Sequence, residues 1–279
     1  MRNIKTLAIL NAISFLLHLT LSQLTQLKLF NNQTIGSVSA KYPALFTPAG
    51  VTFSIWGLIY IALLVFCIYH LVKAFKATPH HQANTDLLQL GYLFIINNLA
   101  TAAWTLAWVY EGLILSVVLM LIQLATLLAM QLRLQIYDAT RPPASRWLTY
   151  VPLSLYFGWI IIATVANISA VLVGLNWDGF GLTDGTWAVI MVIVATLIVG
   201  YVVLVRSNPF VGLVGIWALY GIILKQLDSG LAESQQIITV AWPGVALLVL
   251  LVLAISYRNL TGTKKARING APEAAANQL

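Results

Sequence analysis

KYPALFTPAGVTFSIWGLIY, residues Lys41–Tyr60, joins a proline-punctuated loop to the start of a long apolar helix. Pro43 and Pro48 each hold φ near one value and Gly50 turns freely, so the helix entry is stiff and sharply angled. Phe53, Trp56 and Tyr60 follow at spacings of three and four and share one helical face. A stiff loop over an aromatic face, with Phe46 and Pro48 at its tip, makes a lid for a pocket. The same features also suit an ordinary helix start at a membrane interface, where Trp and Tyr collect.

Outward from this stretch the chain is a series of apolar runs. Sixty per cent of its residues are hydrophobic and eight per cent charged, and several runs are long enough to cross a bilayer. The runs do not alternate as barrel strands would, so the fold class is all-α, a polytopic membrane helical bundle. Eight spans are predicted, at about 6–27, 51–72, 87–110, 114–136, 147–172, 186–205, 209–227 and 237–257. Beyond the last lies a polar, basic tail, residues 258–279, predicted to be disordered.

Charge placement sets the expected orientation. With the N-terminus inside, the inner side collects Arg2, Lys5, Lys73, Lys76, Arg133, Arg141, Arg146, Arg206, Arg258, Lys264, Lys265 and Arg267. The outer side keeps Lys28, Lys41 and Lys225 together with five acids. That bias predicts cytoplasmic N- and C-termini and an even number of spans; the expected location is the bacterial inner membrane. It also explains the pI of 9.6 without nucleic acid. Cys67 is the one cysteine, so an intrachain disulfide is excluded, and it reads as a small buried hydrophobe.

Polar residues inside apolar runs mark the faces turned toward other helices or a cavity. The first run carries Asn11, Ser14, His18 and Ser22. The third carries Asn97, Thr101, Trp104, Thr105 and Trp108, the fourth Ser116, Gln123 and Thr126, and the fifth Tyr156, Trp159, Ala163 and Asn167. Interhelical hydrogen bonding alone accounts for such stripes. Their mixture with Trp56, Trp104, Trp108 and Trp159 also describes an apolar pocket with a few polar groups, suited to a flat hydrophobic ligand. The sixth and eighth runs are nearly featureless and read as lipid-facing packing. None of the acids is expected in mid-span, and adjacent His80 and His81 read as solvated.

These segments resemble the translocator-protein family, the tryptophan-rich sensory proteins (TspO/MBR). Lys41, Pro43, Phe46 and Pro48 correspond to that family's Lys-Pro-x-aromatic-x-Pro-Pro loop, and Trp56 and Tyr60 to its Trp-x-x-x-Tyr helix. One proline of the pair is missing, and Gly50 or Val51 stands where a Trp is usual. In the third helix, aligned on Trp104, only that Trp is identical. In the fifth, Tyr156, Trp159, Ala163 and Asn167 match four of six motif positions, with Leu155 and Ile162 departing. The likeness covers about residues 1–176, leaving 177–257 as three additional helices.

The resemblance implies a five-helix bundle that binds porphyrin or lipid-like molecules under the loop between the first two helices. No cofactor is required, and a haem-related tetrapyrrole is the implied ligand. Expected ligand-binding residues are Phe46, Pro48, Phe53, Trp56, Tyr60, Asn97, Thr101, Trp104, Trp108, Tyr156, Trp159, Ala163 and Asn167, with Lys28 and Lys41 as anion partners for propionates. The family further implies homodimers and, in some members, light-dependent porphyrin degradation. Two other readings stand beside binding: a secondary transporter, suggested by eight spans with His18 as a proton relay, and an enzyme. No nucleophile–base pair or metal cluster is evident for the latter.

Overall fold

The computed structural model describes residues 3–136 and 141–276, so Arg2 lies outside the described residues. Among these, seven helices are long and apolar enough to cross a membrane, or eight if one bent pair forms a single span. Chain order gives α1 (Ile4–Gln26), α2 (Ile35–Lys41), α3 (Ile55–Lys76), α4 (Gln82–Leu90), α5 (Leu93–Val109) and α6 (Leu113–Arg133). A short α7 (Pro143–Ser145) and a π-helical turn (Arg146–Tyr150) lead into α8 (Val151–Gly174). Then follow α9 (Asp184–Arg206), α10 (Pro209–Ser229) and α11 (Ser234–Ala276).

Local chemistry explains the ends. Asn3 Oδ1 accepts from the Lys5 amide and caps α1, while Thr34 and Ser37 form a reciprocal capping box on α2. Pro209 opens α10, and Gly230 follows it in the left-handed conformation. His81, read from sequence as solvated, instead accepts the Ala83 amide at 3.2 Å and caps α4.

Four expectations need correction. The second span begins with a 3-10 turn, Gly50–Ser54, and becomes α-helical only at Ile55. The third is broken: α4 and α5 meet at 57° across Gly91, whose φ of 56° and ψ of −125° suit only glycine. The tail predicted to be disordered continues α11 as far as Ala276. Nor do α9 and α11 merely face lipid, since Ala188, Val192, Ala195, Val199 and Val203 of α9 and Ile237, Ala241 and Leu248 of α11 are buried.

Asp86, placed by the sequence in a loop, is fully buried on α4. Its carboxylate pairs with Arg141 and accepts from Ser145 Oγ at 2.7 Å and Gln82 Nε2 at 2.8 Å. Nearby, His70 Nδ1 donates to the Ala83 carbonyl at 3.1 Å and its Nε2 accepts from Thr149 at 3.0 Å. A buried carboxylate is tolerated in such a place only when paired and hydrogen-bonded. This cluster closes the end of the bundle where the basic residues gather.

Candidate functional site

At the other end, the Lys41–Tyr60 stretch folds over the helices. Ala44, Phe46 and Pro48 turn inward and are buried, while Pro43 and Gly50 stay exposed. The loop is tied on two sides. Trp108 Nε1 on α5 donates to the Ile35 carbonyl at 3.1 Å, and Glu111 accepts from Tyr42 at 2.7 Å and pairs with Lys41. From α10, the Gly221 carbonyl accepts the Ala49 amide at 2.9 Å. Trp217 Nε1 donates to Thr52 O at 2.9 Å and Gln226 Nε2 to Leu45 O at 2.7 Å.

Hydrogen bonding to Lys41 and then to Tyr42 holds the Glu111 carboxyl below its ordinary range. The same bond to Glu111 pushes the Tyr42 phenol up.

Beneath the loop the aromatic faces converge. Trp56 stacks on Tyr60 at 5.3 Å and 28°, and meets Trp159 edge-on at 6.2 Å and 81°. Phe53 meets Trp159 at 5.7 Å, and Trp104 stacks on Trp108 at 6.0 Å and 12°. Together with Thr47, Pro48, Met120, Gln123, Ala163, Asn167 and their neighbours, Phe53, Trp56, Trp104, Trp108 and Trp159 line one cleft. Its cavity volume is about 50 Å³. Pockets for drug-sized ligands run to about 300–1,000 Å³, so the cleft as it stands is too narrow for one and has room for only a few waters.

Eight of the thirteen expected residues line the cleft: Pro48, Phe53, Trp56, Trp104, Trp108, Trp159, Ala163 and Asn167. The other five do not. Asn97 Nδ2 donates to Gln123 O at 3.0 Å and to Thr126 Oγ1 at 2.8 Å, binding α5 to α6. Thr101 donates its proton to Asn97 O at 2.8 Å, so the 2.7 Å contact with Tyr156 must be donated by the phenol. Tyr60 lies behind Trp56 against His18, at 5.5 Å between rings. Phe46 faces a different cavity. Neither expected anion partner lines the cleft, because Lys41 is held by Glu111 and Lys28 is exposed in a left-handed turn.

His18, considered as a proton relay, donates from Nδ1 to Asn98 Oδ1 at 3.0 Å and sits fully buried. Asn98 spends its own amide protons on Phe94 O, which leaves its oxygen as the acceptor and fixes the imidazole tautomer.

Sequence reasoning missed Gln123 and Thr47 as site residues, although the stripe on α6 already contained Gln123. Four polar atoms around the cleft are buried without a protein partner: Trp104 Nε1, Trp159 Nε1, Gln123 Oε1 and Thr47 Oγ1. Two donors, one amide acceptor and a hydroxyl set among flat rings favour a planar molecule with both acceptor and donor atoms. Among the described residues no group of three or more His, Cys, Asp or Glu is placed to hold a metal.

A lidded, aromatic-lined bundle of apolar helices defines a class of polytopic α-helical membrane proteins with an intrahelical cleft. Within that class the chain belongs to the TSPO-like protein family, whose description it matches over residues 8–254. The match reaches into α11, so α9, α10 and the first part of α11 lie within the region the family describes. No curated protein and no solved structure matches the chain.

Proposed function

We propose that this protein binds a flat hydrophobic ligand, of the porphyrin or lipid-like kind, in the tryptophan cleft under the loop and acts as its sensor, carrier or regulator. The observation that carries this reading is the set of buried, unpartnered polar atoms on residues that line the cleft. A buried polar group without a partner costs about 1–3 kcal/mol, and a ligand that satisfies Trp104, Trp159 and Gln123 recovers that cost. Ring faces at Trp56, Trp104 and Trp108 supply stacking surface.

The narrow volume requires that binding part the rings or lift the loop, so occupancy and loop position are linked. With the basic ends inside, the loop faces outward and both termini are cytoplasmic. Asp86, the carboxylate inside the bundle, is satisfied by three partners, which favours a structural rather than a transport role for it.

The test is a titration of protoporphyrin into the detergent-solubilised protein, following Trp quenching and the Soret band. A saturable change that is lost in Trp104→Ala and Trp159→Ala is the expected result. No saturable change, or one that both variants retain, refutes the reading.

A further inference from the structure

A second cavity lies behind the lid, and it is the roomier of the two. Its volume is about 450 Å³, nine times that of the tryptophan cleft and within the range of small-molecule sites. The loop divides them: Pro43–Phe46 line the rear cavity, whereas Thr47 and Pro48 line the cleft. α8 is divided in the same way, since Ile168, Ser169, Leu172 and Val173 face the rear cavity and Ala163, Ala166, Asn167 and Ala170 the cleft. The remaining wall comes from α9, through Ala188 and Met191. The five helices of the resemblance could not build this cavity alone.

Its chemistry is one-sided. The body is mostly apolar, with Phe46 and one hydroxyl, Ser169, in the wall, and two further rings line it near Asp184, Trp177 and Trp187, 4.9 Å apart and tilted by 56°. Trp187 is fixed there by donating Nε1 to the Gly179 carbonyl at 2.7 Å. Among the described residues one charged side chain lines the space, Asp184, and no basic residue does. Asp178 lies beside Trp177 in sequence and Glu233 packs against Gly185, which puts two further acids near the Asp184 end, while Lys41, two residues before Pro43, is paired with Glu111. Asp184 also favours the positive end of α9 by its place in the first turn. That role does not need a cavity beside it.

We infer that this rear cavity is a binding site for a single-chain amphiphile with a positively charged amine. The alkyl chain runs along Phe46, Leu172 and Met191, and the amine lies between the Asp184 carboxylate and the faces of Trp177 and Trp187. Acidic amphiphiles of the same length are rejected, because their headgroup would meet Asp184 with no cation to receive it. The inference stands apart from the tryptophan cleft and survives if that cleft binds nothing.

The experiment uses the full chain in phosphatidylcholine nanodiscs and follows quenching of Trp fluorescence by a brominated long-chain primary alkylamine. The matching brominated alkanoic acid is the control, and unbrominated alkylamine is the competitor. A saturable, competable component is expected for the amine and not for the acid. Asp184→Asn weakens the amine about two- to fivefold, the range of a solvent-exposed ion pair, and Asp184→Lys transfers the preference to the acid. Ala188→Trp fills the space and removes the saturable component, with Met191→Trp as the second filling variant should the first not fold. Trp104→Ala leaves it in place. Equal quenching by amine and acid, indifference to Asp184→Asn, persistence in the filled variants, or loss in Trp104→Ala overturns the inference.

Discussion

At the scale of single residues, the Asp86–Arg141 ion pair is hidden from solvent on both sides. Asp86 is fully buried and the Arg141 side chain is 9% exposed. Removing one member of a buried ion pair strands the other and costs about 3–5 kcal/mol. Asp86→Ala should therefore lower the unfolding midpoint by many degrees, measured by thermal unfolding in detergent, whereas the exposed Lys225→Ala should leave it nearly unchanged.

The Lys41–Glu111–Tyr42 contact is more exposed and its effect is one of pH. Glu111 has a lowered pKa, so its contribution is full above the ordinary carboxylate range and is lost as pH falls through the lowered value. Tyr42 has a raised pKa, so its contribution is full below the ordinary phenol value and is lost as pH rises through the raised one. Loop protection, read by hydrogen exchange at residues 42–48, should be greatest between these limits, and Glu111→Gln should flatten its acid side. None of this was legible in the sequence. A carboxylate's exposure depends on the partners brought to it, and Arg141 is 55 positions from Asp86.

At the scale of elements, periodicity did much of the work. The stripe on α5 named Trp104 and Trp108 as interior, and that on α8 named Trp159, Ala163 and Asn167. Spacing identifies a face but not what it meets, so Asn97, Thr101 and Tyr156 were assigned to the cleft when they brace the helices behind it. The break at Gly91 was hidden because the predicted span, 87–110, joins the apolar Leu87–Leu90 end of α4 to the apolar α5 and so reads straight through it.

The contact of α10 with the loop turns on one glycine. A Cβ at Gly221 would stand 2.0 Å from Thr52 Oγ1, so only glycine lets the loop seat. Gly221→Ala should cost about 1–3 kcal/mol by overpacking and loosen residues 45–52. Thr52→Gly in the same chain removes the obstructing side chain and should return most of the loss, a coupling that a double-mutant cycle in thermal unfolding measures.

For the molecule as a whole, composition and charge were enough for an all-α membrane bundle, and the loop and helix motifs for its family. The boundary at 176 was less informative, because the family match runs to 254 and α10 holds the loop. A chain ending at 176 should lack Trp217, Gln226 and Gly221 as loop partners and expose the buried Gly158 and Ile161 face of α8. Limited proteolysis should then cut within residues 43–52, sites that the full chain protects.

That same clasp has a consequence in time. The residues it joins are 165 and 181 positions apart in the chain. At about 5–20 residues per second, the loop leaves the ribosome roughly 10 to 35 s before α10 exists to receive it. Once Trp159 of α8 has been made, about 60 residues remain before Trp217, so for roughly 3 to 12 s the nascent bundle has its cleft tryptophans assembled and its roof not yet fastened by α10. The last third of the protein thus sets the moment at which the cleft closes during biosynthesis.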